Sequence, residues 1–491
     1  MNHIHIIFAI ALLAAGTVTA GAQQSSSSSF ELGSISTPRT INPAANSTTP
    51  SSLAGQQQNP FLGSVPTGKL TDQVLQLSLS DAIERGLRSN LGVVENEASL
   101  RQSQAQRLRA LSTMIPNVSA LLRQNVDQLS RVAIGLKIPG LPASTGQFGY
   151  QESYLTFSDT GLNLNSLYQY RAARRSVEAQ RLSLDDAGNV VTLAVGTAYL
   201  QVQASESRVD TAKAELAADR ELETQTLNRV QSGLAADIEG LRATVQRQTS
   251  EQRLIVTQAN LEKDRLTLAR IIGLPSGQQF TTTTKAAYQP WTGGELEAAL
   301  RQARNDRADL KSAQATASSA QISKRAAQFE RVPGFSVNGY YGSIGTNLQH
   351  SDTTYSLVAT VSLPIFTGGR IRSDIQDASA QSDRRQSEYA DLQGRVDYEV
   401  RNAFTDLQAA DSAVKVAEKN TQLAQRTLEQ ARDRFLNGVT NNLEVVQAQQ
   451  DVAAANENYI SSLFAHNLAK LTLLRAMGAA QKDTNKYLGG N

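Results

Sequence analysis

Arg265-Leu-Thr-Leu-Ala-Arg-Ile-Ile-Gly273 and Lys470-Leu-Thr-Leu-Leu-Arg-Ala-Met-Gly478 are one pattern written twice, 205 positions apart, in a chain of 491 residues. Working back from it, Ser232–Gly233 matches Asn437–Gly438 at the same offset. Earlier still, Leu79–Ile83 (Leu-Ser-Asp-Ala-Ile) matches Leu296–Leu300 (Leu-Glu-Ala-Ala-Leu). Met114–Val118 matches Arg331–Phe335, so Pro116 corresponds to Pro333, 217 positions on. The change of offset places 12 additional residues in the first copy, between Pro116 and the next helix. A tandem repeat of this size predicts two copies of one structural unit in a quasi-symmetric arrangement. The copies are assigned to 72–275 and 295–478, with 276–294 as a linker and 479–491 as a tail.

Each copy is predominantly helical. In the second, Val396, Val400, Ala403, Leu407, Ala410, Val414, Ala417, Ala424, Leu428, Ala431 and Phe435 step by four and three, with Thr421 filling one step. This is a sustained coiled-coil stripe. Val191, Val195, Ala198, Val202, Val209, Ala212 and Leu216 repeat it in the first copy. The alanines let helices approach closely on more than one side, which suits a wall of many helices. Long helices are predicted from about Ser166 to Gln231 and Gly369 to Leu436, on the order of 100 Å each. Gly233 and Gly438 are expected to end them in the left-handed conformation. Return helices (about Asp237–Ile272 and Asn442–Met477) cover roughly half that length. Opening helices, Ser80–Thr113 and Leu296–Glu330, supply the other half.

Between each opening and long helix lies a β-rich interruption, 115–162 and 332–366. Tyr355, Leu357, Ala359, Val361 and Leu363 alternate with Ser356, Val358, Thr360 and Ser362, the period of a strand with one apolar and one wetter face. Pro333–Gly345 is its hairpin partner; the first copy offers Pro116–Asp127 and Phe148–Ser158. Aromatic residues, 5% of the chain, concentrate here, as in the girdles of outer-membrane barrels. Four strands cannot close a barrel, whose minimum is about eight. Three chains would contribute twelve. The extra residues of the first copy fall at Leu129–Gln147 and read as a longer extracellular loop.

The ends set the compartment. Met1–Ala22 has a short polar start, an apolar run from Ile6 to Ala15 and Ala20-Gly21-Ala22, the layout of a secretory signal peptide. Residues 23–71, rich in Ser, Thr, Asn, Gln, Pro and Gly, read as a disordered leader. The chain has no cysteine, hence no disulfide, thiolate metal site or lipid-anchor motif. Its 47 basic residues nearly balance 45 acidic ones, against a general nucleic-acid surface. No later segment is long and apolar enough for a transmembrane helix, so any membrane crossing must be by β-strands.

With these features in hand, the chain resembles the TolC-like outer-membrane efflux channel family. The resemblance spans about Leu77–Gly478. It rests on the doubled plan, on Leu-Ser-Asp-Ala-Ile at Leu79–Ile83, and on Ser-Leu-Pro-Ile-Phe-Thr-Gly-Gly-Arg at Ser362–Arg370. The fourth element is Arg-Phe-Leu-Asn-Gly-Val-Thr-Asn-Asn-Leu-Glu-Val-Val-Gln-Ala-Gln at Arg434–Gln449. It implies a fold that is mainly α with transmembrane β. Such a chain forms a homotrimer whose 12-stranded barrel, set in outer-membrane lipid, continues as a 12-helix coiled-coil barrel through the periplasm. It further implies a passive exit duct for a tripartite efflux pump, opened by a periplasmic adaptor that contacts an inner-membrane pump. A type I secretion duct is the alternative within the family. A periplasmic coiled-coil adaptor or adhesin without a pore is the alternative outside it.

The functional residues are expected at the helix turns. In the family, acids just after the second-copy turn line the periplasmic constriction; the match here is Glu444, and the second acid position carries the neutral Gln447. Glu239 corresponds in the first copy. Family members hold the closed state by linking that first-copy acid to an Arg and a Tyr; those positions carry Thr440 and Phe435. The tips, Gly233, Leu234, Gly438 and Val439, would dock the adaptor. Glu239 and Glu444 are equally readable as exposed acids favoured near helix N-termini by the dipole. Leu234, Val439 and Leu443 could instead close a pore by dewetting. His350 and His466, the histidines outside the signal peptide, sit in no metal-ligand spacing. No catalytic constellation or cofactor motif is found, so neither an enzyme nor a cofactor is expected.

Overall fold

The computed structural model describes residues 59–136, 138–283, 287–347, 349–440 and 442–488. The expected signal peptide and residues 23–58 of the expected leader lie outside them. Residues 59–71, also assigned above to the leader, are instead built into the fold. Pro60–Leu62 forms a single 3₁₀ turn. Phe61 lies against Gly92, where a Cβ would stand 2.3 Å from its ring. The Val65 and Thr67 amides donate to the carbonyls of Ser89 and Gly273 at 2.9 Å. Phe61 supplies the apolar surface that the preceding Ser/Thr-rich stretch lacks.

The elements run β1 (Leu75–Leu77), α1 (Leu79–Ser89), α2 (Leu91–Ser112), β2 (Asn117–Asp127), β3 (Phe148–Leu162), α3 (Leu164–Gln231) and α4 (Asp237–Ile271). There follow β4 (Phe280–Thr282), α5 (Leu296–Asp306), α6 (Ala308–Gln328), β5 (Gly334–Asn347), β6 (His350–Ser362), α7 (Arg370–Leu436), α8 (Asn442–Ala476) and α9 (Ala480–Leu488). With 68 and 67 residues, α3 and α7 are each roughly 100 Å long. Their apolar stripes point inward: Val191, Val195, Val202, Val396, Val400 and Val414 are fully buried. No helix among the described residues is long and apolar enough to cross a membrane.

The opening helices, and the segments assigned above as linker and tail, carry structure that the sequence reading did not specify. The opening helices are not continuous. Each is broken by one extended residue, Asn90 (φ −65°, ψ 133°) or Arg307 (φ −58°, ψ 120°). The cause is the end of the return helix, which butts against the break. A Cβ on Gly478 (φ +74°) would stand 2.9 Å from the Arg307 backbone, and one on Gly273 (φ +71°) 2.4 Å from Ser89 Oγ. Asn90 donates to the Phe61 carbonyl at 2.8 Å. Arg307, 3% exposed, donates to Asp309 and, at 2.5 Å, to Glu399 Oε2. The linker is not plain coil, because β4 pairs in parallel with β1. The expected tail contains α9, whose Ala480 is fully buried.

The second layer is a four-stranded antiparallel sheet in the order β2-β3-β5-β6. Its register puts Val118, Leu122, Leu155, Tyr341, Tyr355, Leu357 and Val361 on one face, all more than half exposed. The opposite face carries Ser119, Arg123, Asn125, Glu152, Thr156, Asn338, Ser356 and Thr360. Arg123 and Glu152 stand opposite one another, 3.7 Å apart. Such an apolar face is unstable against water. The edges of the sheet, on β2 and β6, find no strand partner among the described residues.

Candidate functional site

Both long helices end as their glycines require. Gly233 and Gly438 have φ of +69° and +71°. The Leu234 amide donates to the Arg229 carbonyl at 2.8 Å, and the Val439 amide to the Arg434 carbonyl at 2.9 Å, closing each last turn. A side chain at either glycine would meet open space, so only the backbone conformation demands glycine there. The turns present Leu234, Ile238, Leu241, Leu436, Val439 and Leu443, each at least half exposed.

Behind this surface the two hairpins are pinned together. Phe435, read from the sequence as a constriction residue, is 2% exposed and packs with Leu222, Ala431, Val445 and Ala448. Its ring is apolar and lies on the coiled-coil stripe, so it goes into the core rather than to a surface. Arg229, from the end of α3, lies over that ring at 4.6 Å. Its Nη1 also donates to the Phe435 carbonyl at 3.0 Å.

Glu444 accepts from Arg434 at 2.8 Å and from Thr440 Oγ1 at 2.5 Å. The expected acid is therefore charge-paired within its own copy. Glu239 is half-buried, with no ion pair or side-chain hydrogen bond to its carboxylate among the described residues; Gln447 is exposed. The structure thus brings Thr440 and Glu444 together and leaves Glu239 apart from both Thr440 and Phe435.

Arg229 and Arg434 escaped the sequence reading. A signal was present, since they correspond at the 205-residue offset and each precedes its acid, Glu239 or Glu444, by ten positions. The symmetry is broken by use: Arg434 turns to its own acid, whereas Arg229 crosses to the other copy.

A second polar group, of which His466 and Lys470 are buried, lies where the linker meets α7 and α8. Tyr288 donates to Asp411 Oδ1 and Lys415 to Asp411 Oδ2, both at 2.7 Å. His466 is fully buried with its Nε2 3.8 Å from Asp411, its ring lies 5.2 Å from that of Tyr288, and Lys470 is 1% exposed. Burial, aided by the Lys470 and Lys415 charges, pushes the His466 pKa down to about 4 against the pull of Asp411.

A base whose folded pKa lies below its unfolded value of roughly 6.5 takes its proton first in the unfolded state. Its contribution is complete above that value and is lost as pH falls toward 4. Lys470, lowered by burial to about 8, and Asp411, lowered by its hydrogen bonds from Lys415 and Tyr288, change charge outside this window. Thermal unfolding in detergent should therefore weaken between those limits in the wild type. His466→Gln should flatten that part of the profile, and an unchanged slope would rule His466 out as the cause.

Long paired helices capped by a four-stranded sheet with one exposed apolar face define the architecture. Residues 299–479 match the model of the outer membrane efflux protein family. Over 161 residues it is 28% identical to the outer membrane protein OprJ of Pseudomonas aeruginosa, a stretch that spans 32% of that relative. It is 23% identical to the pyoverdine export outer membrane protein OpmQ of Pseudomonas putida over 423 residues, 82% of this chain and 85% of OpmQ. Its fold is shared with the outer membrane protein VceC of Vibrio cholerae (TM-score 0.70, 19% identity, 82% of this chain and 96% of VceC). It is shared also with the CmeC outer membrane channel of Campylobacter jejuni (TM-score 0.72, 15% identity, 92% and 95%). Of the first two relatives, OprJ and the outer membrane efflux protein BepC of Brucella suis, the matched stretches span about a third of the length.

Proposed function

We propose that the protein is the passive exit duct of a tripartite efflux pump, a homotrimer opened by a periplasmic adaptor that contacts an inner-membrane pump. The observation that carries this reading is the sheet. It has four strands, one apolar and one polar face, and two edges without strand partners, on helices of roughly 100 Å. Edges of this kind are costly in lipid, where every backbone group must be paired. Three copies joined β6 to β2 close a 12-stranded barrel with the apolar face to lipid and the polar face to a lumen. The doubled helical plan then gives a twelve-helix tunnel.

The helix turns are its periplasmic end. Leu234 and Val439 offer an apolar tip for the adaptor, Gly233 and Gly438 shape it, and the constriction is ringed by Glu444, Thr440, Gln447 and Glu239. Phe435 acts from behind, through Arg229. Mass measurement of the detergent-extracted protein tests the assembly: a trimer is expected, and a monomer with intact β-structure would refute it. The mass also separates a channel from a single-chain adaptor. Export of small apolar compounds, compared with export of a secreted protein, separates an efflux duct from a type I secretion duct.

A further inference from the structure

The β2–β3 loop is the one long insertion that separates the two copies, and the duct reading gives it no task. It is braced on itself: the Arg131 amide donates to the Ala143 carbonyl, the Thr145 amide to the Leu129 carbonyl, both at 2.8 Å, and the Leu136 amide to the Arg131 carbonyl at 2.9 Å. This bracing does not hide its side chains. Leu129, Val132, Ile134, Leu136, Ile138 and Leu141 are each between 46% and 56% exposed. A contiguous apolar patch of this kind marks a contact surface.

Two further observations say what covers it. The first is charge. Between Asp127 and Glu152 there is no acidic residue, and the charged residues are Arg131 and Lys137, of which Lys137 lies outside the described residues. An apolar surface that carries the cationic Arg131 and no acidic residue between Asp127 and Glu152 fits an anionic lipid surface. The second is continuity. The loop grows directly from β2 and β3, whose outward residues Val118, Leu122, Val126 and Leu155 form one apolar face.

We infer that the β2–β3 loop is a membrane-surface anchor. It folds outward from the barrel mouth onto the outer leaflet, with Ile134, Leu136 and Ile138 among the acyl chains and Arg131 at the lipid phosphates. This rests on the barrel reading above, because the loop reaches lipid only if the outward face of β2 does. Three such anchors around a trimer would fix the height and tilt of the barrel rim.

The chain suits a direct test, having no cysteine and a single tryptophan, Trp291, in the linker. In a Trp291→Phe background, Leu136→Trp reports on the loop and Leu122→Trp on the β2 face. The trimer is reconstituted into vesicles of phosphatidylcholine with brominated acyl chains and phosphatidylglycerol. Both introduced tryptophans should be quenched by the brominated lipid, and Arg131→Gln should weaken quenching at position 136 but not at 122. Quenching at position 122 alone, with position 136 open to aqueous iodide, would overturn the anchor and leave the barrel standing. Quenching at neither position would overturn the barrel reading and the anchor with it. Disulfide cross-linking of Leu136→Cys between protomers would show that the loops meet over the pore, which also overturns the anchor. Should Leu136→Trp not assemble, Ile134→Trp gives the same readout.

Discussion

Arg229→Ala is expected to leave the protein assembled in the outer membrane and to raise its conductance in planar bilayers several-fold. Arg229 is the side chain by which the end of α3 grips the end of α7, through the Phe435 ring at 4.6 Å and the Phe435 carbonyl at 3.0 Å. A hydrogen bond from a charged donor contributes about 1.5–3 kcal/mol, and a partly exposed cation–π contact about 0.5–1 kcal/mol. One clasp is therefore worth roughly 2 kcal/mol, and three acting together in a trimer roughly 6 kcal/mol. About 5.5 kcal/mol converts a 1:99 equilibrium into 99:1. Three clasps are thus sufficient to hold a closed end closed.

Arg229→Lys keeps the charge but loses the planar guanidinium that stacks on the ring, and should fall between wild type and Arg229→Ala. Phe435→Leu keeps the core filled and the carbonyl in place, so it should release the end only in part. Unchanged conductance in Arg229→Ala, with the trimer intact, would remove the clasp from the gate.

The long helices and their turns were legible because one signal repeats many times. The stripe from Val396 to Phe435 keeps its spacing for about eleven helical turns, and a glycine stands at the only point where it must stop. The strands were legible because the apolar and polar faces of β6 alternate from Tyr355 to Ser362, with Val358 the one apolar residue on the polar face. The breaks at Asn90 and Arg307 were not, because a one-residue interruption leaves the helical period nearly unchanged; their cause, Gly273 or Gly478 pressing on the break, is distant in sequence. Residues 59–71 were lost for the opposite reason. Their composition matches the leader, and what sets them apart, the contact of Phe61 with Gly92 and the amide hydrogen bonds of Val65 and Thr67 to Ser89 and Gly273, is made with residues distant in sequence.

At the candidate site, residue types were read more readily than pairings. Glu444 could be named as an acid after a turn, but its ion pair with Arg434, in the last turn of α7, is made only because the hairpin brings the two together. Phe435 occupies a position on the coiled-coil stripe, and that stripe, already visible in the sequence, is the reason it is buried.

On the proposed duct reading, that pairing sets the electrostatics of the constriction. Glu444 and Arg434 are 38% and 56% exposed along their side chains, so the pair contributes little to stability, about 1 kcal/mol or less. Its effect on ions is another matter. Three matched pairs around a three-fold axis leave the Glu444 ring near neutral, so the cation preference of the wild-type channel should come from Glu239 alone and be modest. Arg434→Gln removes three cations and leaves three carboxylates facing a narrow, low-dielectric passage, where their potentials add. It should turn the channel cation-selective, visible as a shifted reversal potential under a salt gradient. Glu444→Gln should shift it the other way, toward anions, because Arg434 is then unmatched. The double change should return the potential close to wild type. Both shifts should be largest at low salt and fade as the Debye length falls toward about 8–10 Å near physiological ionic strength. If neither single change moves the reversal potential at low salt, the pair does not line the constriction. Closure would then belong to the exposed apolar ring of Leu234, Val439 and Leu443, which excludes ions by dewetting and has no charge to mutate.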